Sequence, residues 1–253
     1  MAMQNDPWFA YIKSRPAAKI RLFCFPFAGG GAGIYRTWSD ALPTEIEVIP
    51  VQLPGRERRM AEKPFTAMPS LVDVLLGVLE PHLRERPFAF FGHSMGATIA
   101  FELSHRLRET QGPMPLALLA SARMAPHRTV ERDPFYHLPM PEFKARLAEL
   151  DGTPEAVLQN EELMDLMAPL LRADFELIDT YPETRHPRFE FPVFAYGGLG
   201  DHEVSEEDVR AWDEVTDGPC TVRMLQGGHF FINEDSGRRT LLQAVATDLL
   251  SLA

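Results

Sequence analysis

Two kinds of apolar pattern alternate along the chain. Short apolar-rich runs of strand length fall at 20–25, 45–52, 88–91, 116–120, 191–197 and 220–225. Such runs are the mark of strands buried on both faces. Between them, apolar positions recur every three or four residues. At 71–84, Leu71, Val74, Leu75, Val78, Leu79 and Leu83 share one side of a predicted helix. The same spacing predicts helices at 95–108 and 237–252 and a short one at 35–42. Strands separated by amphipathic helices imply right-handed crossovers, hence a parallel sheet covered on both faces.

The rhythm breaks from about 123 to 188, where no strand pattern occurs. Helical spacing recurs instead at 141–150, 153–158 and 161–179, after loops marked by Pro126, Pro134, Pro139 and Pro141. Leu163, Leu166, Met167, Leu170 and Leu171 give the last segment an apolar face, and Pro169 should kink or divide it. So long a strandless stretch between two sheet strands reads as an insertion of about 123–188 within a single domain, 1–253. Its position, just after the middle of the sheet, suits a lid.

Composition narrows the classes. With 253 residues and 45% hydrophobic content the chain can bury one large core. Twenty-five basic against 36 acidic residues leave a net charge of −11, which argues against nucleic acid as a partner. Cys24 and Cys220 lie in strand-like runs and read as buried thiols, with no zinc spacing or disulfide framework. The start, Met1-Ala2-Met3-Gln4-Asn5-Asp6, has no signal-peptide pattern, and the apolar stretch at 71–79 is too short to span a bilayer. A cytoplasmic monomer, without metal, cofactor or membrane association, is the expectation.

The chemistry gathers where strand-like runs end. Phe88-Ala89-Phe90-Phe91 is followed by Gly92-His93-Ser94-Met95-Gly96 and then a helical pattern. G-x-S-x-G between strand and helix is a nucleophile elbow, which lifts Ser94 above the sheet edge and aims the Met95 N–H at the oxygen of an attacked carbonyl. Ser94 needs a base to take its proton, and the base needs an anion to orient it. In this fold the chain order is Ser, acid, His. Asp201 and His229 each follow a glycine-bearing turn beyond a predicted strand, on the same sheet edge as Ser94. His202 is the rival base, but an acid and a base adjacent in sequence can hardly both serve one serine. His93 should point away from the serine's partner, and His82 and His105 should be exposed on helices. Asp174 and Asp179 are the weaker candidates for the acid.

After the first strand comes Phe27-Ala28-Gly29-Gly30-Gly31-Ala32-Gly33. A phosphate loop would need Lys-Ser/Thr, and Ile34-Tyr35-Arg36 follows instead. A dinucleotide fingerprint fits the glycine spacing poorly, and Gln52 stands where its acid belongs. The better reading is the second arm of an oxyanion hole, donated by Phe27 or Ala28. The fold class expected is therefore α/β: an α/β-hydrolase with a mostly parallel central sheet flanked by helices and a helical lid insertion.

With these residues in place, the chain resembles the type II thioesterases of polyketide and nonribosomal-peptide pathways almost from end to end. The likeness rests on Phe25-Pro26-Phe27-Ala28-Gly29-Gly30, Leu53-Pro54-Gly55-Arg56, Gly92-His93-Ser94-Met95-Gly96, Leu171-Arg172-Ala173-Asp174, Gly198-Leu199-Gly200-Asp201 and Gly228-His229-Phe230-Phe231. It implies hydrolysis of acyl thioesters from the phosphopantetheine arm of acyl or peptidyl carrier proteins, clearing stalled or mis-primed chains. A product-releasing or cyclising thioesterase, an acyl-CoA or ester hydrolase, and a carrier-binding protein without turnover are the alternatives. Carrier proteins are commonly acidic, as this chain is, so docking calls for a basic patch. The densest cluster is Arg56, Arg58 and Arg59, with Lys63 behind. Arg56 reads equally well as a buried partner of an acid, while Arg58 and Arg59 are expected at the surface.

Overall fold

Residues 3–128, 133–182 and 185–252 are described in a computed structural model. The strands β1 (Ile20–Phe25), β2 (Ile46–Pro50), β3 (Phe88–His93), β4 (Leu118–Ser121), β5 (Val193–Gly198) and β6 (Cys220–Leu225) pair in the order β2-β1-β3-β4-β5-β6. Every pairing is parallel. Burial explains the apolar-rich runs: β1 to β5 are covered on both faces, with Arg21 and Glu47 paired at 2.9 Å, whereas edge strand β6 is mostly half-buried. Cys220, on that edge, is accordingly only partly buried, unlike Cys24.

Helices α2 (Met68–Leu83) and α3 (Met95–Glu109) cover one face, contributing Leu71, Leu75, Leu79, Ile99 and Leu103 to its core. On the other face α7 (Asp235–Leu250) buries Leu241, Leu242, Val245 and Leu249 beside Trp38 of the short helix α1 (Trp38–Ala41). His82 and His105 are buried rather than exposed, because chain from outside their helices covers them. Phe9 meets the His82 ring edge-on, and Phe189 and His186 stack on His105. Burial, with His186 and Arg108 alongside, pushes the His105 imidazole down to about 2.

Between β4 and β5 lie α4 (Met140–Glu149), α5 (Glu155–Leu158) and α6 (Glu161–Asp179). They share a small core of their own, with Phe135, Phe143, Leu147, Met164, Ala168 and Leu171. Two expectations for α6 need correction. Pro169 does not divide it, and of the expected stripe Leu170 and Leu171 are buried, with Met164 and Ala168, while Leu163 and Leu166 are exposed. Of the 123–188 segment, 129–132 and 183–184 lie outside the described residues, as do Met1 and Ala2. Among the described residues no helix is long and apolar enough to cross a membrane.

Candidate active site

The elbow is a steric construction. Ser94 sits between β3 and α3 at φ 51°, ψ −115°, a strained conformation for a residue with a side chain. The turn closes only because its flanks lack side chains. A Cβ on Gly92 would lie 2.0 Å from the Gly96 carbonyl oxygen, and one on Gly96 would lie 2.1 Å from that of Phe25. The Ser94 N–H donates to the Ser121 carbonyl at 2.8 Å, tying the elbow to β4. Met95 opens α3, so its N–H has no acceptor within the helix and is available to an oxyanion.

The acid and base loops meet backbone to backbone. The N–H groups of Leu199 and Gly200 donate to the carbonyls of Leu225 and Gly227 at 2.8 and 2.9 Å. A Cβ on Gly198 would fall 2.5 Å from the Gly228 carbonyl oxygen, so glycine is needed for this approach. His229 Nδ1 and Asp201 Oδ2 are consequently 2.8 Å apart, with the Asp201 side chain fully buried. The other carboxylate oxygen, Oδ1, accepts from the N–H groups of Glu203 and Val204 at 2.8 and 3.1 Å. Burial alone would raise the Asp201 carboxyl. The hydrogen bond and charge of His229, with the two N–H donors, outweigh it and hold Asp201 below the usual carboxylate range. His202 is exposed on the rim of the site.

His93 does not turn away from His229, as the sequence suggested. It is fully buried, with Nε2 2.9 Å from the His229 carbonyl oxygen and Nδ1 3.0 Å from Ser121 Oγ. A carbonyl only accepts, so Nε2 carries the proton and Nδ1 accepts from the serine. Burial, with His229 close by, pushes His93 down to about 3 and keeps it neutral. A neutral imidazole thus fixes the backbone of the His229 loop. Sequence reasoning overlooked this role, although the position of His93 beside Ser94 was its one signal.

Two cavities meet at Ser94 and His229. The first, about 340 Å³, has part-exposed walls that include Arg123, Arg128, Arg146 and His202. Thr98, one turn beyond Ser94, also lines it, and its buried hydroxyl has no hydrogen-bond partner among the described residues. Nothing in the sequence had singled it out. The second cavity runs under the inserted helices, lined by Phe27, Ala28, Leu147, Leu150, Leu171, Phe175 and Phe230. Phe27 and Phe230 meet edge to face at 5.1 Å. The Phe27-Ala28 backbone therefore borders the space beside Ser94, where a second oxyanion donor belongs.

The arginine cluster is not the surface patch expected. Arg56 is buried and forks onto Asp174 of α6 at 2.8 and 2.9 Å. Asp174, weighed as a candidate acid, is engaged there instead. Arg59 is buried too, paired with Glu62 at 2.6 Å and stacked 4.0 Å from the Trp8 ring centre. Both guanidiniums have their charge matched and little surface exposed, so neither is the exposed cation of the expected patch. Arg58 and Lys63 remain exposed. Among the described residues no cluster of His, Cys, Asp and Glu could hold a metal ion.

The comparisons with known proteins agree with this geometry. A thioesterase domain profile matches residues 20–249. The gramicidin S biosynthesis protein GrsT of Aneurinibacillus migulanus is 42% identical over 231 residues, 91% of this chain and 90% of that protein. Among solved structures, the type II thioesterase BorB of the borrelidin cluster is 39% identical with a TM-score of 0.85, covering 96% and 97% of the two chains. RedJ, a thioesterase of the prodiginine pathway in Streptomyces coelicolor, is 35% identical with a TM-score of 0.86, covering 92% of each.

Proposed function

Since this chain belongs to the thioesterase family, we propose that it hydrolyses acyl thioesters on the phosphopantetheine arm of acyl or peptidyl carrier proteins. Its role in this reading is to clear stalled or mis-primed chains during polyketide or nonribosomal peptide synthesis. One observation carries the chemistry: Ser94, raised on its strained turn, shares the junction of two cavities with a His229 that is hydrogen-bonded to a buried Asp201.

Each group then has a role. Asp201 accepts the Nδ1–H of His229, leaving Nε2 free to take the Ser94 proton as Oγ adds to the thioester carbon. The N–H of Met95, with that of Phe27 or Ala28, binds the oxyanion. When the intermediate collapses, the C–S bond breaks and the proton on His229 passes to the departing sulfur. Water then attacks the acyl-serine with His229 again as base, releasing the carboxylic acid and restoring Ser94. The sum is thioester plus water to acid plus thiol.

The two cavities suit the two ends of such a substrate. The one beneath α4 and α6, where Leu147, Leu150, Leu171 and Phe175 stand with Arg123 and Glu203, takes the acyl chain. The other takes the pantetheine arm; Arg128 and Arg146, paired with Glu207 and Glu149 but part-exposed, stand at its mouth toward the phosphate and the acidic carrier beyond. The inserted helices act as a lid, excluding water from the oxyanion when closed. Relatives from gramicidin S, borrelidin and prodiginine biosynthesis support the biosynthetic setting.

The test is thiol release from the same acyl group presented on a carrier, on coenzyme A and on a short thiol. We expect the carrier to be preferred and Ser94→Ala to abolish release, at a loss on the order of 10⁶-fold. Undiminished turnover by the Ala variant would refute the mechanism, and indifference to the carrier would refute the substrate.

A further inference from the structure

From the contacts of the buried Arg56–Asp174 pair, we infer that these two side chains are positioning residues for the oxyanion hole, holding the Phe27-Ala28 arm from behind. The inference rests on the hydrolase reading above and adds a function for two residues that touch neither substrate nor nucleophile.

The loop after β1 has little to hold its own shape. Gly29 lies at φ +75°, and the Gly30 N–H donates to the Phe27 carbonyl at 2.9 Å. For residues 27–30 the other hydrogen bonds among the described residues come from the pair; further along, the Gly33 N–H donates to Glu57 Oε1 at 2.8 Å. Asp174 Oδ2 accepts the Gly29 N–H at 2.7 Å, which sets the plane of the peptide joining residues 28 and 29. Arg56 Nη1 donates to the Gly30 carbonyl at 2.9 Å, gripping the loop two residues on. The same Nη1 donates to Asp174 Oδ2 at 2.9 Å and Nη2 to Oδ1 at 2.8 Å, while Nε donates to the Pro54 carbonyl at 3.1 Å. Arg56 is thus anchored to the turn after β2, and Asp174 to α6. Their side chains are 5% and 2% exposed, so water competes weakly for these bonds.

The peptide gripped at Gly29 adjoins the one that carries the Ala28 N–H, with the Phe27 N–H one plane further. Peptide planes are rigid, so fixing one restricts the aim of the next. Leu171, one turn before Asp174, adds a steric stop: its Cδ2 lies 2.6 Å from where a Cβ on residue 29 would stand. An oxyanion donor works only when aimed in advance, and an error near 1 Å in a reacting geometry can cost about 100-fold. The Leu-Pro-Gly-Arg and Leu-Arg-Ala-Asp stretches, far apart in sequence, are in this view two ends of one brace.

The test compares Asp174→Asn and Arg56→Lys with the unmodified protein. Asn keeps an oxygen for the Gly29 N–H but loses the charge. Lys keeps a cation opposite Asp174 but loses the fork, and it serves if Asp174→Asn does not fold. A p-nitrophenyl acyl ester is the substrate, so that no carrier is required. Active sites are counted by fluorophosphonate labelling of Ser94 carried to completion. Per labelled site we expect kcat to fall about 100-fold with KM little changed. Affinity for an acyl trifluoromethyl ketone, which forms an oxyanion on Ser94, should fall by a similar factor. Affinity for a thioether analogue without the carbonyl oxygen should stay the same. An unchanged kcat per labelled site, or equal losses for ketone and thioether, would show that the pair only holds the fold, and would overturn the proposal alone. Absence of both turnover and Ser94 labelling in the unmodified protein would overturn the hydrolase reading, and this inference with it.

Discussion

Replacing Asp201 with Asn should abolish most activity without disturbing the fold, through the tautomer of His229. In the structure Asp201 Oδ1 accepts two backbone N–H groups and Oδ2 faces His229 Nδ1. Asn has one oxygen and one NH2 to offer these two sides. Turning the NH2 toward Glu203 and Val204 would leave two N–H donors facing a donor, at about 1–3 kcal/mol each. The oxygen therefore stays with the backbone and the NH2 faces His229. Nδ1 must then accept, so the proton moves to Nε2, and His229 can no longer take one from Ser94. The imidazolium also loses its buried counter-charge. In serine proteases a misplaced tautomer of this kind costs about 10⁴-fold in kcat, or roughly 5 kcal/mol of transition-state stabilisation. Steady-state thiol release from an acyl-pantetheine thioester, with the melting temperature measured in parallel, gives both readouts. An Asn variant within tenfold of the unmodified kcat would mean that some other group orients the imidazole.

Three further outcomes are expected. His93 and His105 are held neutral, at about 3 and about 2, below the ordinary imidazole value, so the folded protein binds fewer protons than the unfolded chain once the pH drops below about 6.5. Each contribution is intact above that pH and is lost by about 1.4 kcal/mol per pH unit below it; urea unfolding at pH 6.5 and 5 should show the loss, and a flat profile would refute the burial argument. Charge reversal of Arg128 and Arg146 should weaken turnover of acyl-carrier substrates by about tenfold, more at low salt, while sparing a short uncharged thioester; equal loss on both substrates would refute docking at that mouth. Leu150→Trp should fill part of the cavity beneath α4 and α6 and shift preference toward shorter acyl chains, read from kcat/KM across a chain-length series, and an unchanged profile would place the acyl chain elsewhere.

What could be read from the sequence was what repeats or what is tied to a strand end. The apolar-rich runs located the six strands among the described residues: β1 to β5 are covered on both faces, and edge strand β6 keeps enough apolar residues to be seen. The glycine turns after β5 and β6 pointed to Asp201 and His229, because a close backbone approach requires glycine. Burial created by distant chain was not legible. Arg56 and Arg59 look like a basic patch until Asp174, Glu62 and Trp8 arrive from elsewhere, and His105 looks exposed until Phe189 and His186 stack on it. The apolar stripe of α6 misled only in part: Leu170 and Leu171 are buried, but Leu163 and Leu166, nearer the start of the helix, are exposed.

The insertion divides its labour in a way that bears on how such an enzyme changes over generations. Its last helix is bolted to the framework through Asp174, whereas Leu150, just past its first helix, lines the cavity under the insertion. On the proposed substrate, changes of side-chain size where α4 ends, at Leu150, can therefore retune which chains are accepted without touching the machinery that cleaves them. Mutations along the Asp174 face of α6 carry no such freedom. Selection for a new substrate has a permissive position to work on, and it lies next to a forbidden one.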